Sequence, residues 1–198
     1  MSTRSCKSVI AATAVVYGVS ALSLIPTAHA HGVNFILRTG ADFGGDDLIE
    51  VAFTDGSTED IQAGELIHLA AGLDFPTSPA NEALRTEVSI GWEFDRADAV
   101  NGEVEWERYP LELLQFYSLG YWRFGGGATY HINPTLDGEG FAGSVDLEFD
   151  DALGFVVQAD VAVGPYIDLG ARFTSIEYSA GGVDVDGNSF GVIASLRF

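Results

Sequence analysis

Beyond residue 30 the chemistry of this chain rests on three histidines, seven arginines and 29 carboxylates. Histidine beside a carboxylate and a serine can build a hydrolytic site with imidazole as general base. His31, His68 and His131 are far apart in sequence, and the last 60 or so residues hold no histidine. Hydrogen bonding inside the fold is therefore the reading for His68 and His131. A second chemistry is divalent-cation binding by oxygen-rich clusters: Asp46, Asp47, Asp55, Glu59 and Asp60 in one segment, Asp184 and Asp186 in another. Such clusters suit weak Ca²⁺ or Mg²⁺ binding, and a solvated acidic surface is the plainer reading. "DVDGNS" at 184–189 is not an EF-hand loop, because Gly187 comes two places too early. It is expected to turn a hairpin at Asp186-Gly187. The "GGG" at 125–127 sits inside an alternating stretch rather than before a helix, so it relieves crowding and does not cradle phosphate.

The arginines are the stronger signal. Past the first 30 residues the chain has no lysine, whereas a soluble surface mixes lysine with glutamate. Arg38, Arg85, Arg108, Arg123, Arg172 and Arg197 share one face of their strands with Asp42, Asp74, Glu87, Glu93, Asp95, Glu112, Asp160 and Asp168. The planar guanidinium binds two carboxylates at once, so arginine suits a confined ionic interior better than the strongly hydrated lysine ammonium does. The acidic excess makes nucleic acid an improbable partner. No cofactor motif is evident.

The elements that must carry these side chains are strands. Residues 84–95 alternate Leu, Thr, Val, Ile, Trp, Phe with Arg, Glu, Ser, Gly, Glu, Asp, and period two recurs along the chain. Turn residues divide it into eight antiparallel strands near 33–43, 65–75, 84–95, 104–117, 121–132, 145–163, 166–178 and 189–198. Connections alternate between tight ones and longer acidic ones around 44–64, 96–103, 133–144 and 179–188. The first long one holds its own hairpin, folded at Asp55-Gly56. Pro110 must sit at a bulge or cost a ladder bond. The sixth strand outruns its neighbours, so part of it projects or is loop.

Which face points outward follows from volume. Eight strands enclose an interior barely filled by side chains, and the apolar face, with Trp92, Trp122, Phe124, Phe155, Phe173 and many leucines and isoleucines, is too large to fit there. A soluble two-sheet sandwich is the alternative. The expected fold is all-β, an eight-stranded antiparallel transmembrane up-and-down β-barrel with the arginine face inside. Arg4 and Lys7 before the apolar run Val9–Ile25, then "TAHA", read as a signal peptide over 1–30, leaving 31–198 as the barrel domain without cysteine.

The chain ends "GNSFGVIASLRF", with Phe190, Val192, Ala194, Leu196 and Phe198 on one side of the last strand. This pattern resembles the assembly signal of bacterial outer-membrane β-barrels. Together with "ADFGGDDL", "ATYHINP", "FDDALGFVVQADV" and "LGARFTSIEYSAGGVDVDGNSFG", it resembles the small outer-membrane barrel proteins of the OmpX and OmpA-barrel type. That resemblance implies bacterial outer-membrane localisation, contact with outer-membrane lipid and lipopolysaccharide, and recognition by the barrel-assembly machinery. It implies no settled activity, and no peptidoglycan-binding domain is carried over. The expected role is structural or interactive at the cell surface, without catalysis, with the lumen plugged by arginine–carboxylate pairs. The alternatives are a small-solute or hydrophobic-compound channel and, further off, a lipid A-modifying enzyme; the His-x-Ser-Asn stretch of lipid A deacylase barrels is missing.

Overall fold

In the computed structural model of this chain the described residues are 32–52, 58–99, 102–140 and 145–198. The expected signal peptide, His31, Asp55 and Gly56 lie outside them. Thirteen strands are present: β1 (Asn34–Phe43), β2 (Asp47–Ala52), β3 (Thr58–Gln62), β4 (Leu66–Ser78), β5 (Asn81–Ala99), β6 (Gly102–Leu119), β7 (Trp122–Gly140), β8 (Val145–Glu148), β9 (Ala152–Ala162), β10 (Ile167–Ser175), β11 (Glu177–Ala180), β12 (Val183–Asp186) and β13 (Ser189–Arg197). Eight of them close a ring of antiparallel neighbours in the order β1, β4, β5, β6, β7, β9, β10, β13 and back to β1. The sandwich is excluded, because all eight strands are paired on both sides in one closed sheet rather than in two sheets stacked face to face.

Alternation decides the two faces. Phe35, Leu37, Ile67, Leu69, Val88, Ile90, Leu111, Leu113, Phe124, Val157, Leu169 and Val192 are exposed on the outside, while their immediate neighbours in sequence are largely buried. Aromatic residues ring both ends of this apolar band. Tyr117, Tyr121, Trp122 and Tyr166 stand at the end with the short turns, and Phe43, Trp92, Tyr109 and Tyr130 at the other. Backbone polar groups are satisfied strand to strand around the ring, as a bilayer requires.

The last strand is held on both sides, by β1 and β10. Its pairing continues to Phe198, whose N–H donates to Phe35 O at 3.1 Å while Phe35 N–H donates to Phe198 O at 2.7 Å. The Phe35 and Phe198 rings stack at 6.3 Å.

Two expectations need correction. The segments 96–103 and 133–144 are not mainly loops. β5, β6 and β7 run 19, 18 and 19 residues, against roughly 9–11 needed to cross a bilayer. Their outer thirds stand clear of the membrane, where neither face must be apolar, so the alternation that marks a spanning strand fades. In the segment 179–188 the turn is not at Asp186-Gly187 but at Gly181-Gly182, both at positive φ (59° and 87°), between β11 and β12. Two successive positive φ values define the hairpin turn that glycine pairs favour. The sixth strand, expected to project in part, is two pieces: β9 in the barrel wall, and β8, which pairs only with the projecting part of β7.

Pro110 interrupts one of its two ladders: the β5–β6 pairing skips Gly91 and Trp92 opposite it. On the other side Pro110 keeps its register with His131, and the β6–β7 register shifts nearby, between Glu107 and Tyr109. The extra residue there is Asn133 at φ 50°, with its N–H donated to Asp151 Oδ1 at 2.9 Å. That bulge reverses the parity of β7, so Leu136, like His131 before the bulge, faces inward.

Candidate functional site

The alternation that turns leucine outward delivers six arginines and seven carboxylates to the bore. Starting at the short-turn end, Arg85 Nε donates to Asp74 Oδ1 at 2.6 Å, and Arg197 meets Asp168 at 2.8 Å and Asp74 at 3.6 Å. One layer further in, Arg123 reaches Glu87 at 3.0 Å, Asp74 at 3.4 Å and Asp160 at 3.8 Å. Arg38 pairs closely with Glu87 and lies 3.4 Å from Glu112, with its Nε donating to Ser195 Oγ at 3.3 Å. Arg172 pairs closely with Glu112 on the far side and stands 3.4 Å from His68 Nδ1. His68 Nδ1 is 3.0 Å from Glu93 Oε1, and Arg108 Nε donates to Glu93 Oε2 at 2.7 Å. Every candidate from Arg38 to Arg197, with Glu87, Glu93, Glu112, Asp160 and Asp168, therefore belongs to one chain of contacts running along the barrel axis. Asp42 and Asp74 belong to it as well.

Space for these groups comes from glycines in the register positions opposite them. Gly125 faces Phe116, whose ring occupies the place a Gly125 side chain would take. Arg123 lies over the same ring at 3.6 Å. Gly170 faces Asp160 and Gly191 faces Asp42, again with the carboxylate where a Cβ would stand. The crowding expected of the "GGG" stretch is thus a close cross-strand contact at Gly125.

Sequence reasoning missed the outer end of the bore. Leu66, Val104, Trp106, Leu136, Phe149, Ala152, Ile176 and Tyr178 form a buried apolar cluster there, with Leu48, Ala180 and Val185 packed against it. Trp106 meets Phe149 and Tyr178 edge-on at 5.2 Å and 5.6 Å. Its indole N–H donates to Ala63 O at 3.2 Å, and Arg108 donates to the same carbonyl. Tyr178 OH is 2.8 Å from His131 Nδ1, and Arg108 lies over its ring at 5.2 Å. Burial raises the Tyr178 phenol well above its ordinary pKa, which keeps it neutral. The overlooked signal was parity: Val104 and Trp106 share the face of Arg108 and Glu112. A second inward cluster, Leu114, Phe116 and Val156, packs near the other end.

The acidic segments are brought together rather than kept apart. Asp46 N–H donates to Asp186 O at 2.7 Å, and Asp186 N–H donates to Asp46 Oδ2 at 3.0 Å, tying the β2–β3 hairpin to the β11–β12 hairpin. Asp186 also accepts from the backbone and side chain of Asn188, Asp47 accepts from Gln62, and Asp184 accepts from Ser179. These carboxylates serve as hydrogen-bond acceptors within the outer hairpins.

A closed antiparallel barrel with an apolar exterior, two aromatic girdles and an ionic interior is a membrane-spanning barrel. Its fold is that of the small eight-stranded bacterial outer-membrane proteins. It is similar to Ail, the attachment invasion locus protein of Yersinia pestis, with a TM-score of 0.53 and 11% identity over 84% of this chain and 99% of that one. It is also similar to Neisserial surface protein A, with a TM-score of 0.50 and 12% identity over 84% of this chain and 97% of that one. No protein-family model and no curated relative matches the sequence.

Proposed function

We propose that this protein is an integral outer-membrane scaffold that presents its projecting strands and hairpins at the cell surface, and that it is neither a pore nor an enzyme. The observation that carries the reading is the filled bore. Four arginines of the ion-pair chain, Arg38, Arg108, Arg123 and Arg172, are each at most 3% exposed, and the apolar cluster around Trp106 lies across the outer mouth. A conducting lumen needs a continuous watery path, and opening one here would have to part several buried ion pairs at once. His68 and His131 are both fully buried, a poor position from which to meet a lipid A headgroup.

Planar-bilayer recording of the purified barrel tests this reading. Near-zero conductance is expected, and large reproducible steps would replace it with the solute-channel alternative. Lipid and lipopolysaccharide contact at the apolar band, recognition of Phe190, Val192, Ala194, Leu196 and Phe198 by the assembly machinery, and weak divalent-ion binding by the outer carboxylates belong to the same proposal.

A further inference from the structure

Seven carboxylates share the bore with six arginines, and they are not equally served. Asp74, Glu87, Glu93, Glu112, Asp160 and Asp168 each have an arginine within 4.0 Å. Asp42 differs. Its Oδ2 lies 3.9 Å from His68 Nδ1, while its Oδ1, packed against Gly191, is buried with no hydrogen-bond partner. Asp42 is 3% exposed and His68 0%. An unpartnered carboxylate oxygen in such a setting costs free energy unless a cation or donor meets it.

The surrounding donors fit a metal ion. Asp42, His68 and Glu93 each offer one atom within 4.8 Å of the others. With His68 Nδ1 at 3.0 Å from Glu93 Oε1 and 3.9 Å from Asp42 Oδ2, a point equidistant from all three lies about 2–2.4 Å from each, against Zn–N and Zn–O bonds of roughly 2.0–2.2 Å. The three residues come from neighbouring strands. Asp42 on β1 stands opposite Leu66 of β4, and His68 pairs across β4–β5 with Glu93. Backbone register, not side-chain reach, sets the triangle.

We propose that Asp42, His68 and Glu93 form an internal site for a divalent transition metal of the Zn²⁺ class, at the outer end of the ion-pair chain. One imidazole and two carboxylates suit a borderline metal better than Ca²⁺ or Mg²⁺, which take oxygen ligands in larger number. The ion would bind Asp42 through Oδ2 and offset the carboxylate's charge. Arg172, 3.4 Å from His68 Nδ1, turns fully to Glu112, with which it already pairs.

The test uses the full barrel, purified in detergent from cells supplied with Zn²⁺. Native mass spectrometry should find one Zn²⁺ per chain, and X-ray absorption should show one imidazole with oxygen ligands at about 2.0 Å. Because the site is buried, a chelator should strip the metal over hours rather than at once. Asp42→Asn and His68→Gln should each lower occupancy at least about tenfold, while Glu82→Gln at the short-turn end should leave it unchanged. A metal-free barrel overturns the proposal. So does a shell without imidazole, immediate release to chelator, or occupancy unaffected by Asp42→Asn. The measurements on wild-type protein decide the matter even where a variant does not fold.

Discussion

At the residue scale, Arg123 shows why the bore tolerates so many charges. Its guanidinium serves Glu87, Asp74 and Asp160 and also covers the Phe116 ring, so one side chain joins three strands' carboxylates. Arg123→Met keeps much of the volume but leaves Glu87 and Asp74 short of positive charge at 0% exposure. Barrel stability should fall by about 3–5 kcal/mol, read as a lower denaturant midpoint in detergent, while Glu82→Gln at the exposed start of β5 should change it little. Gly125→Leu should also destabilise, by about 1–3 kcal/mol, because its side chain would take the place of the Phe116 ring and push Arg123 off its face. Individual charges were legible in the sequence because arginine and carboxylate kept one parity over long strands. Their partners were not: that Arg38 meets Glu87 and Glu112 depends on strands 49 and 74 residues apart lying across the same bore.

At the element scale, the membrane-crossing halves of the strands were readable and the outer halves were not. Between Leu84 and Phe94 lipid on one side and charge on the other force strict alternation, and the eight spanning strands follow from it. Beyond Asp95, Ala97 and Gly138 neither side faces lipid, so the same strands continue without a pattern to announce them. The Asn133 bulge hid a further step, because it reverses which residues of β7 face inward, and nothing in "HINPTL" gives the new parity. The bulge makes its own prediction. Asn133→Gly should be tolerated, whereas Asn133→Val should lower stability by about 1–2 kcal/mol, because a β-branched residue resists φ 50°. The last strand makes another. Phe198 exchanges two backbone hydrogen bonds with Phe35 at the seam between first and last strands. Replacing Phe198 by Asp should slow insertion and reduce the folded, heat-modifiable form in the membrane fraction, and an undiminished folded yield would remove the assembly role from this residue.

At the scale of the whole molecule, the two ends of the barrel differ in kind, and the difference fixes how it sits in the membrane. One end has three short connections, at 79–80, 120–121 and 163–166, together with Asn34 and Phe198. The other carries the projecting thirds of β5, β6 and β7, the β2–β3 and β11–β12 hairpins, and exposed carboxylates such as Asp46, Asp137, Asp146, Asp150 and Asp184. Outer-membrane barrels keep short turns on the periplasmic side and long connections outside, so the acidic, hairpin-covered end is expected to face the medium. A short epitope tag inserted between Gly181 and Gly182 meets open space, since neither glycine has a heavy atom within 4 Å of where a Cβ would stand. Gly120, in the β6–β7 turn, is equally open. Both insertions should therefore fold, and they should differ in one respect. The tag at Gly181-Gly182 should bind antibody on intact cells, and the tag after Gly120 only after the outer membrane is permeabilised. The reverse labelling would invert the barrel, and equal labelling on intact cells would remove it from the membrane altogether.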